Sequence, residues 1–574
     1  MLNMNCDFTG AFVTGVERMT SWSSILDRIN VFPIADGDTG RNLVCSLAPL
    51  HHVTINRERT VRELLLSARG NAGNIAARFF QAFIWTDTFE NLPCTVRKGR
   101  DEAWLAVSDP QPGTMLTFFD ALTDVIRQNY LAADRAWVNY VMDYLVEVVR
   151  STTAMQPCLQ DAGVIDAGAL GMFLYFEGFL NALIGNTSEF HSIMSLFAGR
   201  LQPRHFPNKR PESGHCIDMV LSNYDGIEKD LSNLSQQGEN VVITQDESFI
   251  KVHLHTRDRD QIRKNFDTSR NIIRWFDDDL GVQTAVFKNS QKQQAVHIMT
   301  DAAGSLSRND ARALNITLLD SYINMGGMAL PESFVSPEAV YQAMRKGESV
   351  STSQASVFER QQCYQSVISI HGKTLYLCVG SGYTGNYETA MQWKREHDPS
   401  DSLVIMDTGC ASGRLGLLAE MTAKYAYHTN LPDDVVAFAA EAVNRCKEYI
   451  FIDKLQYLAA GGRLSKKGAF FGDIMHMKPV ISPQPDGARK IAVLINHRDQ
   501  IAFAMKKLFS SLVPESRSTI WLEYSDNVNW IAEEVMARIR KQYPFADLTM
   551  KPISLTTGVH VGPGAWAITF HCDR

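Results

Sequence analysis

From Phe8 to about residue 200 the apolar positions recur every three or four residues. In Trp137–Met155 the series Trp137, Val138, Val141, Met142, Leu145, Val148 and Val149 traces one helical face. Few segments of this stretch alternate as strands do, so it is predicted to be all-α. Its longest apolar run, Gly168–Gly185, contains Glu177 and reads as a buried helix, not a membrane span. Residues 201–214 place three prolines among basic and polar residues, the texture of a linker. Beyond it Phe249–His255 alternates strictly, with Cys216–Leu221 as a candidate partner strand and Asp225–Leu234 as a helix between them. From 291 onward short apolar runs (Val296–Met299, Leu375–Val379, Leu403–Met406) alternate with longer helical stretches, and small, polar residues follow each run. That is the βαβ pattern of a parallel sheet with ligand-binding loops at its strand ends. The predicted organisation is multidomain α and α/β: an all-α region 1–200, a linker 201–214, a small α+β unit 215–290 and an α/β domain 291–574.

Composition narrows the function classes. At 574 residues the chain exceeds a single core, and 45% hydrophobic with 21% charged residues is ordinary for a globular protein. A net charge of −7 supplies no global basic field, so nucleic acid is not expected as a partner. Ten scattered cysteines form no C-x-x-C pair, which fits reduced thiols in a cytoplasm. The Met1 end lacks a basic segment followed by an apolar core, so no cleaved signal peptide is expected.

Candidate chemistry begins at Ala35-Asp-Gly-Asp-Thr-Gly40, two carboxylates two residues apart around a glycine. Such a turn suits Mg²⁺, which takes a few protein oxygens and leaves the rest of its shell to water and phosphate. The competing reading is a helix cap built on Asp38 or Thr39. Two further glycine-rich turns, Arg69-Gly-Asn-Ala-Gly-Asn74 and Asp161-Ala-Gly-Val-Ile-Asp-Ala-Gly-Ala-Leu-Gly171, adjoin helices, where glycine lets backbone N–H groups approach phosphate. In the middle unit His253 and His255 are i and i+2 on a strand and share a face, and Cys216 on the neighbouring strand would complete a Cys/His/His set. No fourth ligand is evident; a structural site with a distant fourth residue and an open site both remain.

Asn30–Asn42, the GNAGN turn and the DAGVIDAGALG turn resemble the ATP-binding domain of the dihydroxyacetone kinase superfamily, above all the kinase subunit of bacterial fatty acid kinases. The resemblance implies an antiparallel helix barrel in which Asp36 and Asp38, with Asn30 as a candidate third, hold Mg²⁺. Thr39, Asn42, Gly70, Asn71, Gly73, Asp161 and Asp166 would then face ATP. It also implies that Cys216, His253 and His255 bind a structural Zn²⁺. The family typically carries serine where this chain has Ala72 and Ala167. The third region, with Thr300–Ser305, Ser351–Ser356, Gly380–Gly385, Met406–Ser412, Leu458–Ser465 and Gly558–Gly564, resembles the DegV family of acyl-binding proteins. That implies Thr352, Ser381 and His560 at a fatty acid carboxylate and Arg463 as a catalytic residue beside the transferred phosphoryl group.

Together these resemblances predict a cytoplasmic fatty acid kinase in one polypeptide, making acyl phosphate and ADP from a fatty acid and ATP. The implied partners are a fatty acid, a second copy of the chain in a homodimer, a downstream acyltransferase that consumes acyl phosphate, and transient contact with a membrane that the chain does not span. The alternative is a non-catalytic lipid-binding or sensing protein whose kinase half has decayed, motivated by Ala72 and Ala167.

Overall fold

Local capping sets many helix starts in the first 200 residues. Asp7, Asn56, Asp134 and Asp166 each turn a side-chain oxygen onto a first-turn N–H of the helices Phe8–Thr20, Arg57–Ser67, Arg135–Met155 and Ala167–Leu183. Gly163, at φ +71, closes the short helix Pro157–Ala162 in the left-handed region. Helix Ala167–Leu183 is apolar on nearly every side and buried along almost its whole length, so the other helices pack around it. Edge-to-face contacts among Phe12, Phe83, Phe176 and Phe179 fill that interface. Glu177, the polar residue inside the apolar run, is fully buried, takes Arg18 Nη2 at 2.7 Å and receives both His191 N and His191 Nδ1.

The computed structural model describes the chain apart from residues 1–6, 54–55, 130–133, 206–213, 224–226, 246–248, 268–271, 281–293, 461–476 and 573–574. It divides into two units, Met1–Asn289 and Ser290–Arg574. Among the described residues no helix is long and apolar enough to cross a membrane.

Within the first unit Leu201 is buried and the Arg204 N–H donates to the Ala162 carbonyl at 2.9 Å, which satisfies a carbonyl at the end of helix Pro157–Ala162. The α+β part is a four-stranded antiparallel sheet in the order Glu239–Gln245, Phe249–Thr256, His215–Ser222, Ile272–Asp279. One face carries Ile217, Met219, Leu221, Ile250, Val252 and Leu254 and packs on Ile227, Leu234, Ile262 and Phe266. The alternate positions Cys216, Asp218, Lys251, His253 and His255 are buried too, because the helical region covers that face. Every position of Phe249–Thr256 is therefore buried despite its alternating sequence.

The second unit opens with a parallel sheet in the order Leu403–Asp407, Thr374–Cys378, His297–Asp301, Ile316–Leu319. A six-stranded sheet follows: Gly487–Leu494, Lys478–Gln484, Cys446–Phe451, Trp566–His571, Thr519–Tyr524, Asp547–Pro552. It is antiparallel except for its last pair. Helix Ser412–Ala426 packs so tightly that a Cβ at Gly416 would lie 1.6 Å from the Gly304 carbonyl oxygen. The three apolar runs that predicted a parallel sheet are the neighbouring strands of that first sheet. Ser351–Ser356, read as a loop after a strand, contributes instead to a strand, Val350–Gln354, paired antiparallel with Ser321–Met325. A ribbon edge needs backbone pairing and little apolar content, so a run of hydroxyl residues hides it.

Candidate functional site

The helix Thr39–Leu47 starts at Asp38, yet no side-chain hydrogen bond caps it. Asp38 and Asp36 lie buried side by side at the end of the acidic turn, whose Gly37 has φ +66. Asn30 Nδ2 donates to Asp36 Oδ1 at 2.6 Å and fixes that carboxylate. Burial, and then the neighbouring Asp38 charge, push the Asp36 carboxyl well above its usual range. Burial raises Asp38 as well, partly offset by Arg41. Two desolvated carboxylates facing each other are the donor set that a hard divalent cation relieves.

This turn lines a cavity of about 620 Å³ together with Thr39, Asn42, Gly70, Asn71, Ala72 and Asp166. Gly70 opens helix Gly70–Phe83 at φ +60, and a Cβ there would meet Asn42 Nδ2 at 2.0 Å. The Asn71 Oδ1 atom is buried without a hydrogen-bond partner among the described residues. Asp166 caps its own helix through Ala169 N at 2.7 Å, and burial lifts its carboxyl to about 6. Two residues predicted to face nucleotide stand elsewhere. Asp161 is exposed at the end of Pro157–Ala162, 3.2 Å from His205 Nε2. Gly73 serves a close helix approach, since a Cβ would meet Ser46 Oγ at 2.1 Å.

The opposite wall comes from the α+β sheet: Gly238, Glu239, Asn240, Val241, Cys216 and His255 line the same cavity. Cys216 pairs in register with His255, and Asp218 with His253. The ligand atoms of Cys216, His253 and His255 lie within 4.8 Å of one another, all three residues being buried. His255 Nδ1 is 3.1 Å from Asn240 Nδ2, and His253 Nδ1 is 3.3 Å from Asp218 Oδ1. The His255 imidazole is thus held at Nδ1 by Asn240, and a carboxylate stands beside His253 Nδ1, the kind of surroundings that orient histidine toward a metal. Burial, then His253, hold His255 down to about 3, so it is neutral and able to ligate. A soft sulfur and two imidazoles form a zinc-type donor set. Sequence reading missed Asp218 and Asn240. For Asp218 the signal was present: Cys216 and Asp218 are i and i+2, sharing the face that meets the H-x-H strand.

In the second unit Thr352 Oγ1 and His560 Nε2 meet at 3.3 Å. His560 rides on helix Leu555–Val561, capped by Ser554 and by Glu332, which accepts the Thr556 N–H at 2.8 Å. Ser381 donates its hydroxyl to Asp407 Oδ2 at 2.6 Å and its N–H to Asp407 Oδ1 at 3.0 Å. Asp301, raised to about 6 by burial, anchors that loop by accepting Val379 N at 2.6 Å. Tyr383 donates its hydroxyl to the Gln484 carbonyl at 2.8 Å. Arg463 lies outside the described residues.

Comparison with known proteins divides the chain along similar lines. Residues 33–181 match the DAK2 domain. Residues 295–572 match the DegV family of uncharacterised proteins. A DegV domain-containing protein of Clostridium perfringens is 26% identical over 283 residues, 48% of this chain and 97% of that protein. An uncharacterised protein of Staphylococcus saprophyticus is 23% identical over 406 residues, 64% of this chain and 70% of its own. Among solved structures, a fatty-acid-binding DegV family protein of Thermus thermophilus is 18% identical with a TM-score of 0.43, covering 48% of this chain and 99% of its own. The Streptococcus pneumoniae fatty acid kinase B3 protein, loaded with linoleic acid, is 15% identical with a TM-score of 0.42, covering 48% and 99%.

Proposed function

We propose that this chain, whose two parts match the DAK2 domain and the DegV family, phosphorylates the carboxylate of a fatty acid at the expense of ATP. The observation that carries the reading is the buried pair Asp36 and Asp38 on a cavity of about 620 Å³ that the Gly70 helix start also lines. In the proposed step a carboxylate oxygen attacks the γ-phosphorus, the bond from that phosphorus to the β–γ bridging oxygen breaks, and ADP leaves with the bond electrons. The products are acyl phosphate and ADP. The carboxylate is ionised near neutral pH, so the step needs orientation and charge stabilisation more than a base.

Asp36 and Asp38 would hold Mg²⁺, which when bound neutralises phosphate charge. Asn30 keeps Asp36 turned inward, while Asn42 and Asn71 line the same cavity and would face the phosphates. Cys216, His253 and His255 would hold Zn²⁺ in the second wall. Thr352 and His560 would take the fatty acid carboxylate, with Ser381 available once its hydroxyl turns from Asp407. A sixteen-carbon tail buried in the DegV-type domain gains on the order of 10 kcal/mol, which explains a domain devoted to presenting it.

The test measures ADP release from full-length protein with Mg²⁺, with and without palmitate, while hydroxylamine traps acyl phosphate. Palmitate-dependent ADP release and hydroxamate are expected, and both should disappear in Asp36→Asn/Asp38→Asn while palmitate binding persists. Palmitate binding with no turnover in the unmutated chain would refute the kinase and favour the lipid-binding alternative suggested by Ala72, which lines the cavity.

A further inference from the structure

The nucleotide reading assigns no task to Asp218, yet its side chain joins the α+β sheet to the helix that starts at Gly70. It stands on strand His215–Ser222, 6% exposed. Its Oδ2 accepts the Gly70 N–H at 2.9 Å, and its Oδ1 accepts Asn74 Nδ2 at 3.1 Å. The same Oδ1 lies 3.3 Å from His253 Nδ1 and 3.6 Å from Lys251 Nζ. One carboxylate therefore accepts from the first N–H of helix Gly70–Phe83 and also stands beside a histidine of the Cys/His/His cluster. The constraint is tight, because Gly70 is held at φ +60 against Asn42 and has no room to shift toward it.

We propose that Asp218 is a positioning residue that links metal occupancy of the Cys216–His253–His255 cluster to the geometry of the Gly70 turn, and so to nucleotide affinity. This rests on the reading of the cavity as a nucleotide site. With His253 Nε2 engaged by a metal, its Nδ1 must carry the proton and donates to Asp218 Oδ1. The carboxylate is then fixed where Gly70 and Asn74 need it. Without the metal the imidazole is free to change tautomer or turn, Asp218 loses that donor, and the Gly70 N–H loses a fixed acceptor. The coupling is reciprocal: nucleotide that orders the Gly70 turn raises affinity for the metal by the same factor.

Hydrogen–deuterium exchange on the full chain tests this without relying on turnover. Peptides covering residues 69–75 are followed with Zn²⁺ added and after chelation, in wild type, Asp218→Ala and Asp218→Asn. Zinc is expected to slow exchange of this segment about tenfold in wild type and to leave it fast in both variants. Protection of helix Ala167–Leu183 should be equal throughout and serves as the folding control. If Asp218→Ala loses that protection, Asp218→Asn decides, since asparagine offers one acceptor oxygen where two are used. In parallel, calorimetric titration with ADP and Mg²⁺ should show at least about fivefold tighter binding to zinc-loaded than to chelated wild type, the ratio falling to one in the variants. Zinc-dependent protection of 69–75 that survives in Asp218→Asn would overturn the proposal, as would a wild-type segment indifferent to zinc. Absence of ADP binding in every state would instead refute the nucleotide reading, with the exchange result still deciding the role of Asp218.

Discussion

Replacing Glu332 with glutamine should make the protein more stable than wild type in mild alkali and leave it nearly unchanged near pH 5. The Glu332 carboxyl is buried under helix Leu555–Val561, where it accepts the Thr556 N–H at 2.8 Å and the Thr556 hydroxyl. Burial, reinforced by nearby Asp320, lifts it from an ordinary 4.5 to about 7. That displacement corresponds to about 3 kcal/mol between its protonated and ionised forms. Because the folded value lies above the unfolded one, the favourable contribution is complete below about pH 4.5 and is lost as pH rises through about 7. Glutamine mimics the protonated form, accepting from Thr556 N and donating to the hydroxyl, and does not titrate. Calorimetric unfolding from pH 5 to pH 9 should therefore show wild type and Glu332→Gln within about 1 kcal/mol at the acid end and separated by up to about 3 kcal/mol at pH 8.5. Parallel stability curves across that range would show that Glu332 does not ionise in this window, and the reasoning from burial would fail.

Arg18→Met should cost about 3–5 kcal/mol, read as a lower unfolding temperature, because it strands the fully buried Glu177 charge; a loss under 1 kcal/mol would contradict that. Gly70→Ala forces a left-handed φ costing about 1–2 kcal/mol and pushes a Cβ into Asn42, so ADP affinity should fall at least about tenfold with the fold retained by circular dichroism; unchanged affinity would remove the turn from the site. Thr352→Val should weaken palmitate binding about tenfold by removing a hydroxyl 3.3 Å from His560, whereas equal binding would place the carboxylate elsewhere.

Local chemistry was legible in the chain alone. The helical period of Trp137–Met155 and the glycine-spaced acidic turn state their structure through residues only a few positions apart. The division into a helical beginning and an α/β end follows from those periods. The alternation of Phe249–His255 also put His253 and His255 on one face, because the strand period is two.

Tertiary structure decided what that face meets. An alternating strand predicts one solvated side, but the helical region covers the polar side, so Cys216, Asp218, His253 and His255 are buried against the Gly70 turn. Pairing register then set Asp218 opposite His253, 148 positions after the Gly70 whose N–H it accepts. The strand Val350–Gln354 shows the same limit, since backbone pairing to Ser321–Met325 leaves little trace in five residues chosen mostly for their hydroxyls. Asp161 and Gly73 share their motifs with cavity residues yet turn outward or into a helix contact, because one helical step rotates a side chain by about 100° and only packing tells which direction faces the cavity. A residue's type and its neighbours in sequence determine its local conformation, whereas its chemical role depends on contacts between distant segments, which form only when the chain packs.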